Sequence, residues 1–238
     1  MEQDTTKMSH DDNERLLGVR RISARNGVAL EDEALKKLME FVRMVREWNT
    51  RVNLISRRDV DNIWEAHVLH SLSILFECPL PGGCAVLDLG SGGGLPGIPL
   101  KIARPDLSLT MLDATRKKIE AVTDMVSRLG LDGSRGVWGR AEDASVRKDL
   151  GDGFDVVVAR AVAPLQDLVR WSRPFLRRTG IGDTKMPRLI ALKGGDLEKE
   201  VGLVTRNGGV GEVSVKALTF AGAETIPGID KKIVSVYF

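Results

Sequence analysis

A run of glycines follows a predicted buried strand, with one acidic residue just before it. Residues 86–97 read Val-Leu-Asp-Leu-Gly-Ser-Gly-Gly-Gly-Leu-Pro-Gly, so Asp88 stands near the strand's end and Gly90 and Gly92 come directly after it. Glycines at these places let the backbone turn sharply against a ligand, which side chains would obstruct. Residues 92–97 also match the G-x-G-x-x-G pattern of dinucleotide-binding loops. The segment therefore predicts a nucleotide-like ligand at the end of this strand.

The surrounding residues favour a sulfonium cofactor over a dinucleotide. Pro96 and Pro99 crowd the first turn of the next helix, where a pyrophosphate would bind. Asp88 sets a carboxylate beside the loop, and Asp113 ends the next predicted strand. S-adenosylmethionine matches this arrangement because it has an ammonium group, a sulfonium and a ribose but no phosphate, and Asp113 is predicted to accept both ribose hydroxyl groups. The alternatives are that both acids merely cap helices or turns, or that the protein is an NAD-linked oxidoreductase.

Two further candidates follow the ends of later strands. In Arg140-Ala-Glu-Asp143, a backbone amide and a carboxylate, that of Glu142 or Asp143, are placed to meet an adenine edge. Arg160 ends the fourth strand, at the edge of a parallel sheet where ligands bind. The acids could instead face solvent, and Arg160 could form a simple ion pair. No catalytic residue is assigned, and His67 and His70 receive no role.

Strands that alternate with helices after residue 81 predict an α/β fold with a parallel sheet. Two final strand-like runs, at residues 212–220 and 232–238, predict an antiparallel hairpin on one edge, giving a seven-stranded Rossmann-like sheet of the class I methyltransferase type. The five parallel strands are predicted at 84–89, 107–112, near 137, 155–159 and 189–192, with helices at 116–129 and 164–176.

Two amphipathic helices precede the sheet and form a predicted N-terminal cap. They span residues 34–48 and 59–76 and are joined by a shaped loop over 48–56. The predicted organisation has three parts. These are a flexible leader with at most one short helix (1–30), the helical cap (31–80) and the cofactor-binding domain (81–238).

The composition excludes several classes of protein. The chain has 238 residues, of which 42% are apolar and 29% charged, as in folded globular proteins. No apolar run is long enough to span a membrane and the polar start lacks a signal peptide, which predicts a cytoplasmic protein. Cys78 and Cys84 have no partners at metal spacing, so neither a metal site nor a disulfide scaffold is predicted.

The balance of basic residues is compatible with an RNA partner. The net charge is only +2, yet 22 of the 35 basic residues are Arg, whose planar guanidinium group can donate two hydrogen bonds to one phosphate. A codon-driven preference for Arg would look the same. Four basic groups lie at predicted loops or element ends, several of them toward the rim where a substrate would enter. They are Arg57 with Arg58, Arg116 with Lys117 and Lys118, Arg135 with Arg140, and Arg177 with Arg178.

The sequence resembles the RsmG (GidB) family of bacterial small-subunit rRNA methyltransferases over residues 38–194. The Gly-Leu-Pro-Gly-Ile-Pro continuation of the glycine loop and the Asn-Leu-Ile-Ser segment are specific to that family. The matching pieces are Trp48-Asn, Val52-Asn-Leu-Ile-Ser56, His67, Ser71-Leu72, Asp88 to Pro99, Leu112-Asp113, Lys117-Lys118, Arg140-Ala-Glu-Asp143, Ala159-Arg160-Ala161 and Ala191-Leu-Lys-Gly194.

The resemblance implies methylation of a guanine of 16S rRNA on N7, on the small subunit or an assembly intermediate. It also implies cofactor contacts at Gly90, Leu95, Ala141 with Glu142, and Arg160. N7 already carries a lone pair, so positioning is expected to supply the rate without a general base. The alternatives are a methyltransferase with another RNA, protein or small-molecule substrate, and a non-catalytic RNA-binding module. A monomer is expected.

The chain departs from the family in three places. His70 stands where the family usually has Asp, which leaves the role of that carboxylate in doubt. The loop at 177–188 is longer than the family's usual connection, and the leader before residue 30 has no counterpart.

Overall fold

Seven strands form one mixed sheet in the part of the chain that the computed structural model describes, namely residues 10–160, 162–177, 188–206, 209–228 and 230–238. Their order is β3-β2-β1-β4-β5-β7-β6, with β1 to β5 parallel and β7 antiparallel to both of its neighbours. This confirms the predicted parallel strands and the antiparallel edge hairpin. The strands are β1 (Ala85–Leu89), β2 (Ser108–Asp113), β3 (Ser134–Trp138), β4 (Val156–Arg160), β5 (Leu189–Gly194), β6 (Glu212–Ala217) and β7 (Lys231–Tyr237).

The central strands are apolar on both faces because helices cover both sides of the sheet. In β4, Val156 and Val158 pack with the N-terminal helices, whereas Val157 and Ala159 pack on the opposite face. Helices α1 to α5 contribute to the first core and α6 to α8 to the second. The described residues form α1 (His10–Arg25), α2 (Asp32–Asn49), α3 (His70–Glu77), α4 (Gly97–Ala103), α5 (Arg116–Arg128), α6 (Ala144–Leu150), α7 (Leu165–Ser172) and α8 (Glu198–Arg206).

The two predicted cap helices form, but the second differs from its prediction. Helix α2 buries its apolar stripe, including Leu38, Phe41 and Val45, as the three-and-four spacing predicts. Asp59 does not begin a helix. It ends a short 3-10 turn, in which its backbone amide donates a hydrogen bond to the Ser56 carbonyl. A π-helical segment, Trp64–Leu69, follows and continues into α3.

The leader is more ordered than the sequence indicates. Residues 10–25 form the 16-residue helix α1, which packs on the cap through the buried Leu16 and Val19. Asp12 anchors it, because its carboxylate accepts hydrogen bonds from Trp64 Nε1 at 2.7 Å and from both terminal nitrogens of Arg46 at 2.7 and 2.9 Å. The partners are far away in sequence, so a local pattern could not reveal them. This helix is longer than the one short helix expected, and the flexibility of the leader stays a prediction.

The loop between the cap helices is shaped by one side chain. Asn49 Oδ1 accepts hydrogen bonds from the amides of Leu54 and Ile55, at 2.8 and 3.0 Å. These hydrogen bonds bring Leu54 against the glycine loop. A Cβ atom added to Gly93 would lie only 3.0 Å from the Cβ of Leu54. The cap thus contacts the loop that the sequence singled out.

Candidate active site

The glycine loop joins β1 to α4 and is fastened to the neighbouring strand by its backbone. The amides of Gly90 and Ser91 both donate to the Leu112 carbonyl, at 2.8 and 3.1 Å. Gly90 has φ +72°, and a Cβ there would lie 2.7 Å from the methyl groups of Val162. Only glycine meets both conditions without strain. The loop therefore turns tightly at the carboxyl end of β1, as predicted.

A cleft in two adjoining parts lies along this edge of the sheet, and we call it the loop cleft. One part, about 410 Å³, is lined by the loop together with Asp113, Lys118 and Arg160, and the other, about 150 Å³, follows the end of β3. Seven of the eight predicted site residues line it: Gly90, Gly92, Leu95, Asp113, Ala141, Glu142 and Arg160. The structure thus brings together residues that are spread over 70 positions of the sequence.

Asp88, the eighth, lies beneath the loop and does not line the cleft. Its side chain is fully buried and Oδ2 accepts a hydrogen bond from the Gly97 amide at 2.8 Å. Oδ1 has no hydrogen-bond partner among the described residues. Burial raises the pKa of this carboxyl to about 7, although the Gly97 hydrogen bond and the charge of Arg160 act in the opposite direction. A Cβ at Gly97 would lie 2.7 Å from Oδ2, so this glycine admits the carboxyl group.

Asp113 is held in a fixed orientation at the rim of the cleft. Its Oδ2 accepts from the Gly92 amide at 2.9 Å and its Oδ1 accepts from the Thr115 amide at 2.7 Å. Each carboxylate oxygen can accept a second hydrogen bond, since an ionised carboxylate has about four acceptor positions. The group therefore fixes the loop and remains able to accept hydroxyl groups from a ligand.

A second and larger cleft, about 800 Å³, opens on the other side of Arg160, and we call it the histidine cleft. Its wall includes His67, His70, Arg160, Val162, Lys193 and Lys231. Arg160 and Val162 line both clefts and so stand at their junction. Burial lowers the pKa of the Arg160 guanidinium to about 10, so the group remains cationic at neutral pH. Its Nη1 donates to the Ala66 carbonyl at 3.3 Å.

Sequence reasoning missed most of the histidine cleft. It gave His67 and His70 no role, and it assigned none to Lys193 or Lys231. Lys193 donates to the Ala163 carbonyl at 2.9 Å and pairs with Glu200 at 2.8 Å. Two signals could have identified Lys193, namely its position near the carboxyl end of β5, at the same edge as Arg160, and its place in the family-matching segment Ala191-Leu-Lys-Gly194.

Comparison with known proteins identifies relatives over most of the chain. A family model described as rRNA small subunit methyltransferase G matches residues 34–226. A protein of that name from Chlorobium luteolum is 41% identical over 204 residues, covering 86% of this chain and 80% of the relative. Another, from Moorella thermoacetica, is 35% identical and covers 82% and 78%.

The chain belongs to the rRNA small subunit methyltransferase G family. This confirms the family resemblance of its sequence motifs.

Solved structures of methyltransferases confirm the predicted fold of this family member. A SAM-dependent methyltransferase from Aquifex aeolicus superposes with a TM-score of 0.53 at 15% identity, covering 76% of this chain and 96% of that one. The precorrin-6y C5,15-methyltransferase of Geobacter metallireducens gives 0.52 at 16%, covering 77% and 90%. At these identities the likeness shows the fold alone.

The basic groups of this family member are not all near the clefts. Arg57, Arg58 and Arg116 are exposed near the cap turn and the start of α5, and Arg116 lies over the exposed Trp138 ring at 5.7 Å. Arg177 pairs with Asp155 at 3.0 Å, just before β4 begins, and so lies at the opposite edge of the sheet. Its neighbour Arg178, and the loop through residue 187, lie outside the described residues.

No helix in the described ranges combines the length and the apolar character needed to cross a membrane.

Proposed function

We propose that this protein methylates N7 of a guanine in 16S rRNA of the small ribosomal subunit, with S-adenosylmethionine as the methyl donor. The observation that carries the proposal is the meeting of two clefts at Arg160 and Val162, in a chain of the methyltransferase G family. In this proposal the loop cleft binds the methyl donor, and the histidine cleft binds the acceptor base. Methyl transfer requires such adjacency because the reacting atoms must meet in line.

The residues of the loop cleft suit S-adenosylmethionine. Asp113 offers carboxylate oxygens to the ribose, and Lys118 and Arg160 offer cations to the amino acid carboxylate. Ala141 and Glu142 would hold the adenine, Gly90 and Gly92 leave room along the loop because they have no side chain, and Leu95 adds an apolar wall. These contacts are part of the proposal.

The start of α4 argues against a dinucleotide. A pyrophosphate would need free backbone amides at this helix N-terminus. The Gly97 amide already donates to Asp88 at 2.8 Å, and Pro96 and Pro99 have no amide hydrogen to offer. The described structure thus favours a donor without phosphate groups over NAD.

When bound, S-adenosylmethionine would supply a methyl group on a positively charged sulfur. The N7 lone pair would form the new C–N bond while the C–S bond breaks, with S-adenosylhomocysteine as the leaving group. No proton has to be removed from N7, so the chain needs no general base. Its residues bind both partners and orient them for transfer in line. Arg160 contributes a fixed positive charge at the junction, suited to a base oxygen or a phosphate.

The test uses small subunits from a strain that lacks this protein, incubated with the purified protein and S-adenosylmethionine labelled in the methyl group. Label is expected in 16S rRNA, as 7-methylguanosine after nuclease digestion. Label that survives nuclease and is released by protease would indicate a protein substrate instead. In a parallel binding assay, affinity for NADH without affinity for S-adenosylmethionine would overturn the proposal.

We propose that the protein acts as a cytoplasmic monomer, on the subunit or on an assembly intermediate in which the guanine is accessible. The exposed Arg57, Arg58 and Arg116 would contact RNA phosphates. Light scattering of the purified protein, alone and with subunits, measures the oligomeric state.

A further inference from the structure

Two buried histidines in the histidine cleft have ring nitrogens without hydrogen-bond partners. In the described part of the chain this holds for Nδ1 and Nε2 of His67 and for Nε2 of His70. The two side chains belong to residues that are only 8% and 5% exposed. The nearest acid to His67 is Asp59, whose Oδ2 is 3.7 Å from Nε2, beyond hydrogen-bond distance. Buried polar atoms are almost always paired, so three unpaired nitrogens in one cleft indicate a ligand.

His67 and His70 both line the cleft, and their unpaired ring nitrogens lie just beneath its surface. His67 lies in the π-helical segment Trp64–Leu69 and His70 follows at its end, three positions later. π-helical turns are rare and often mark functional sites. This one is held at two points, by the Trp64 hydrogen bond to Asp12 at 2.7 Å and by the Arg160 bond to the Ala66 carbonyl at 3.3 Å. The second contact ties the segment to the junction between the clefts.

The charge state of the rings suits an uncharged base edge. Burial first, and then the positive charges of Arg160 and Lys231, lower the pKa of both His67 and His70 to about 3. At cellular pH each ring is therefore neutral. A neutral imidazole has one donor nitrogen and one acceptor nitrogen, whereas a protonated ring has donors only.

The proposed reaction restricts how a guanine can lie here. N7 must face the methyl donor in the loop cleft, so N7 cannot be used for recognition during the transfer. O6 is next to N7 on the same edge, and both are acceptors, which places O6 near Arg160 at the junction. The opposite part of the base, with its N1–H and N2 amino donors, then points deeper into the histidine cleft. A volume of about 800 Å³ leaves room for a nucleotide there.

From this arrangement, and resting on the proposed function, we infer that His67 and His70 bind the acceptor guanine by its Watson–Crick edge while Arg160 donates to O6. The two histidines are recognition residues, which orient N7 toward the methyl donor without exchanging a proton with it. They also discriminate against adenine, because adenine carries an amino group in place of O6 and has no N1 hydrogen. The site takes a single unpaired guanine, since pairing would occupy the same edge.

The experiment measures kcat and KM on small subunits from the strain that lacks this protein. The variants are His67→Leu and His70→Leu, which remove hydrogen bonding, and His67→Gln, which restores a donor and an acceptor. Each leucine variant is expected to lower kcat/KM for subunits about tenfold, with the dissociation constant for S-adenosylmethionine unchanged. The glutamine variant recovers part of the loss. Asn62→Ala, an exposed change before the same π-helical segment, is the matched control and keeps full activity.

A second measurement separates recognition from folding. Subunits reconstituted with inosine at the target lack the N2 amino group, and the wild-type protein should methylate them about tenfold less efficiently than guanosine subunits. In at least one leucine variant this preference should shrink to about twofold, because the partner of the amino group is gone. A merely structural role would leave the preference unchanged in every variant that folds.

The outcomes distinguish the inference from the proposed function. Wild-type kcat/KM in both leucine variants, or an undiminished preference for guanosine over inosine, would overturn the histidine assignment alone. No transfer to 16S rRNA by the wild-type protein would overturn both. If the leucine variants fail to fold, the wild-type protein alone gives the answer, because a preference of about tenfold for guanosine over inosine subunits supports recognition of the amino group and equal kcat/KM values contradict it.

Discussion

The loop cleft and the histidine cleft meet at Arg160 but are built in different ways. In the loop cleft the backbone forms much of the wall, and both oxygens of Asp113 already accept amide hydrogen bonds. In the histidine cleft side chains form the polar wall, and three imidazole nitrogens lack partners. The first cleft is thus shaped before any ligand arrives, whereas the second keeps its hydrogen-bonding capacity for one. This difference suits the proposed assignment of a constant cofactor to the loop cleft and a selected acceptor base to the histidine cleft.

Replacing Arg160 should have the largest effect, because this side chain serves both clefts. Arg160→Ala is expected to lower kcat/KM on small subunits by about 100-fold or more, in the range that loss of a single electrostatic donor produces. Arg160→Lys, which keeps the charge but not the fork of donors, should lose less. Activity assays and thermal melts are measured together. A large fall in melting temperature with normal turnover would show that Arg160 is only a structural residue.

The glycine loop offers the next largest effect and a matched pair of variants. Gly90→Ala combines a φ of +72° with a Cβ 2.7 Å from Val162, whereas a Cβ at Gly92, with φ +56°, meets nothing within 4 Å. Gly90→Ala should therefore weaken binding of S-adenosylmethionine by at least about tenfold, and Gly92→Ala by less. Calorimetry measures both affinities.

A double variant sharpens this test. Adding Val162→Ala to Gly90→Ala removes the clash but not the backbone strain, so part of the affinity should return. Equal losses in the two single variants would mean that the approach of Val162 to the loop has no part in binding.

Asp113→Ala should weaken S-adenosylmethionine binding by about 1 to 3 kcal/mol, because it removes the proposed ribose contacts and the two internal hydrogen bonds from the Gly92 and Thr115 amides. Asp113→Asn keeps one acceptor oxygen and is expected to fall between the alanine variant and wild type. Calorimetry at neutral pH measures the affinities. An unchanged affinity in Asp113→Ala would remove this residue from the cofactor site.

The two clefts also differ in how far the sequence could predict them, because one is formed by neighbouring parts of the chain and the other by distant parts. Strand β1, the glycines and Asp113 lie in one stretch of regular strand and loop pattern, so this part of the loop cleft could be predicted from spacing. The contacts at Leu95 and at Ala141 with Glu142 were implied by the family resemblance. The histidine cleft combines the π-helical segment with the ends of β4 and β5 and the start of β7, and no local pattern links these parts. Only folding brings them together.

The same distinction explains the differences in secondary structure. No bounds were predicted for α6 and α8, which are short, at seven and nine residues, and which each bury a single hydrophobic residue, Val146 and Val204. Helix α1 depends on the distant partners of Asp12. Long amphipathic helices such as α2 and α5 were predictable because their own sequence encodes the buried face.

Replacing Asp88 with Asn should have the smallest effect on turnover, but it should change how the stability of the fold depends on pH. Its pKa is raised to about 7 in the folded protein, above the ordinary value of 3.8, so the folded state binds more protons between these values. Stability supplied by this group is therefore present at low pH and lost as pH rises toward 7, by up to about 1.4 kcal/mol for each pH unit. In Asp88→Asn this component of the pH dependence should be absent.

Denaturant unfolding of the two proteins between pH 5 and 8 measures that difference. His67 and His70 contribute with the opposite sign, since their lowered pKa values make the protein lose stability as pH falls below 6.5. Subtracting the Asp88→Asn curve from the wild-type curve removes this shared contribution. Parallel curves would mean that Asp88 is ionised throughout this range.

The most direct test of the account is mass spectrometry of 16S rRNA from small subunits of a strain lacking this protein, before and after treatment with the purified protein and S-adenosylmethionine. The account predicts one new 7-methylguanosine per subunit, at a single position, which the Arg160→Ala protein forms far more slowly. An unchanged rRNA modification profile, or a methyl group on any other atom or molecule, would contradict it.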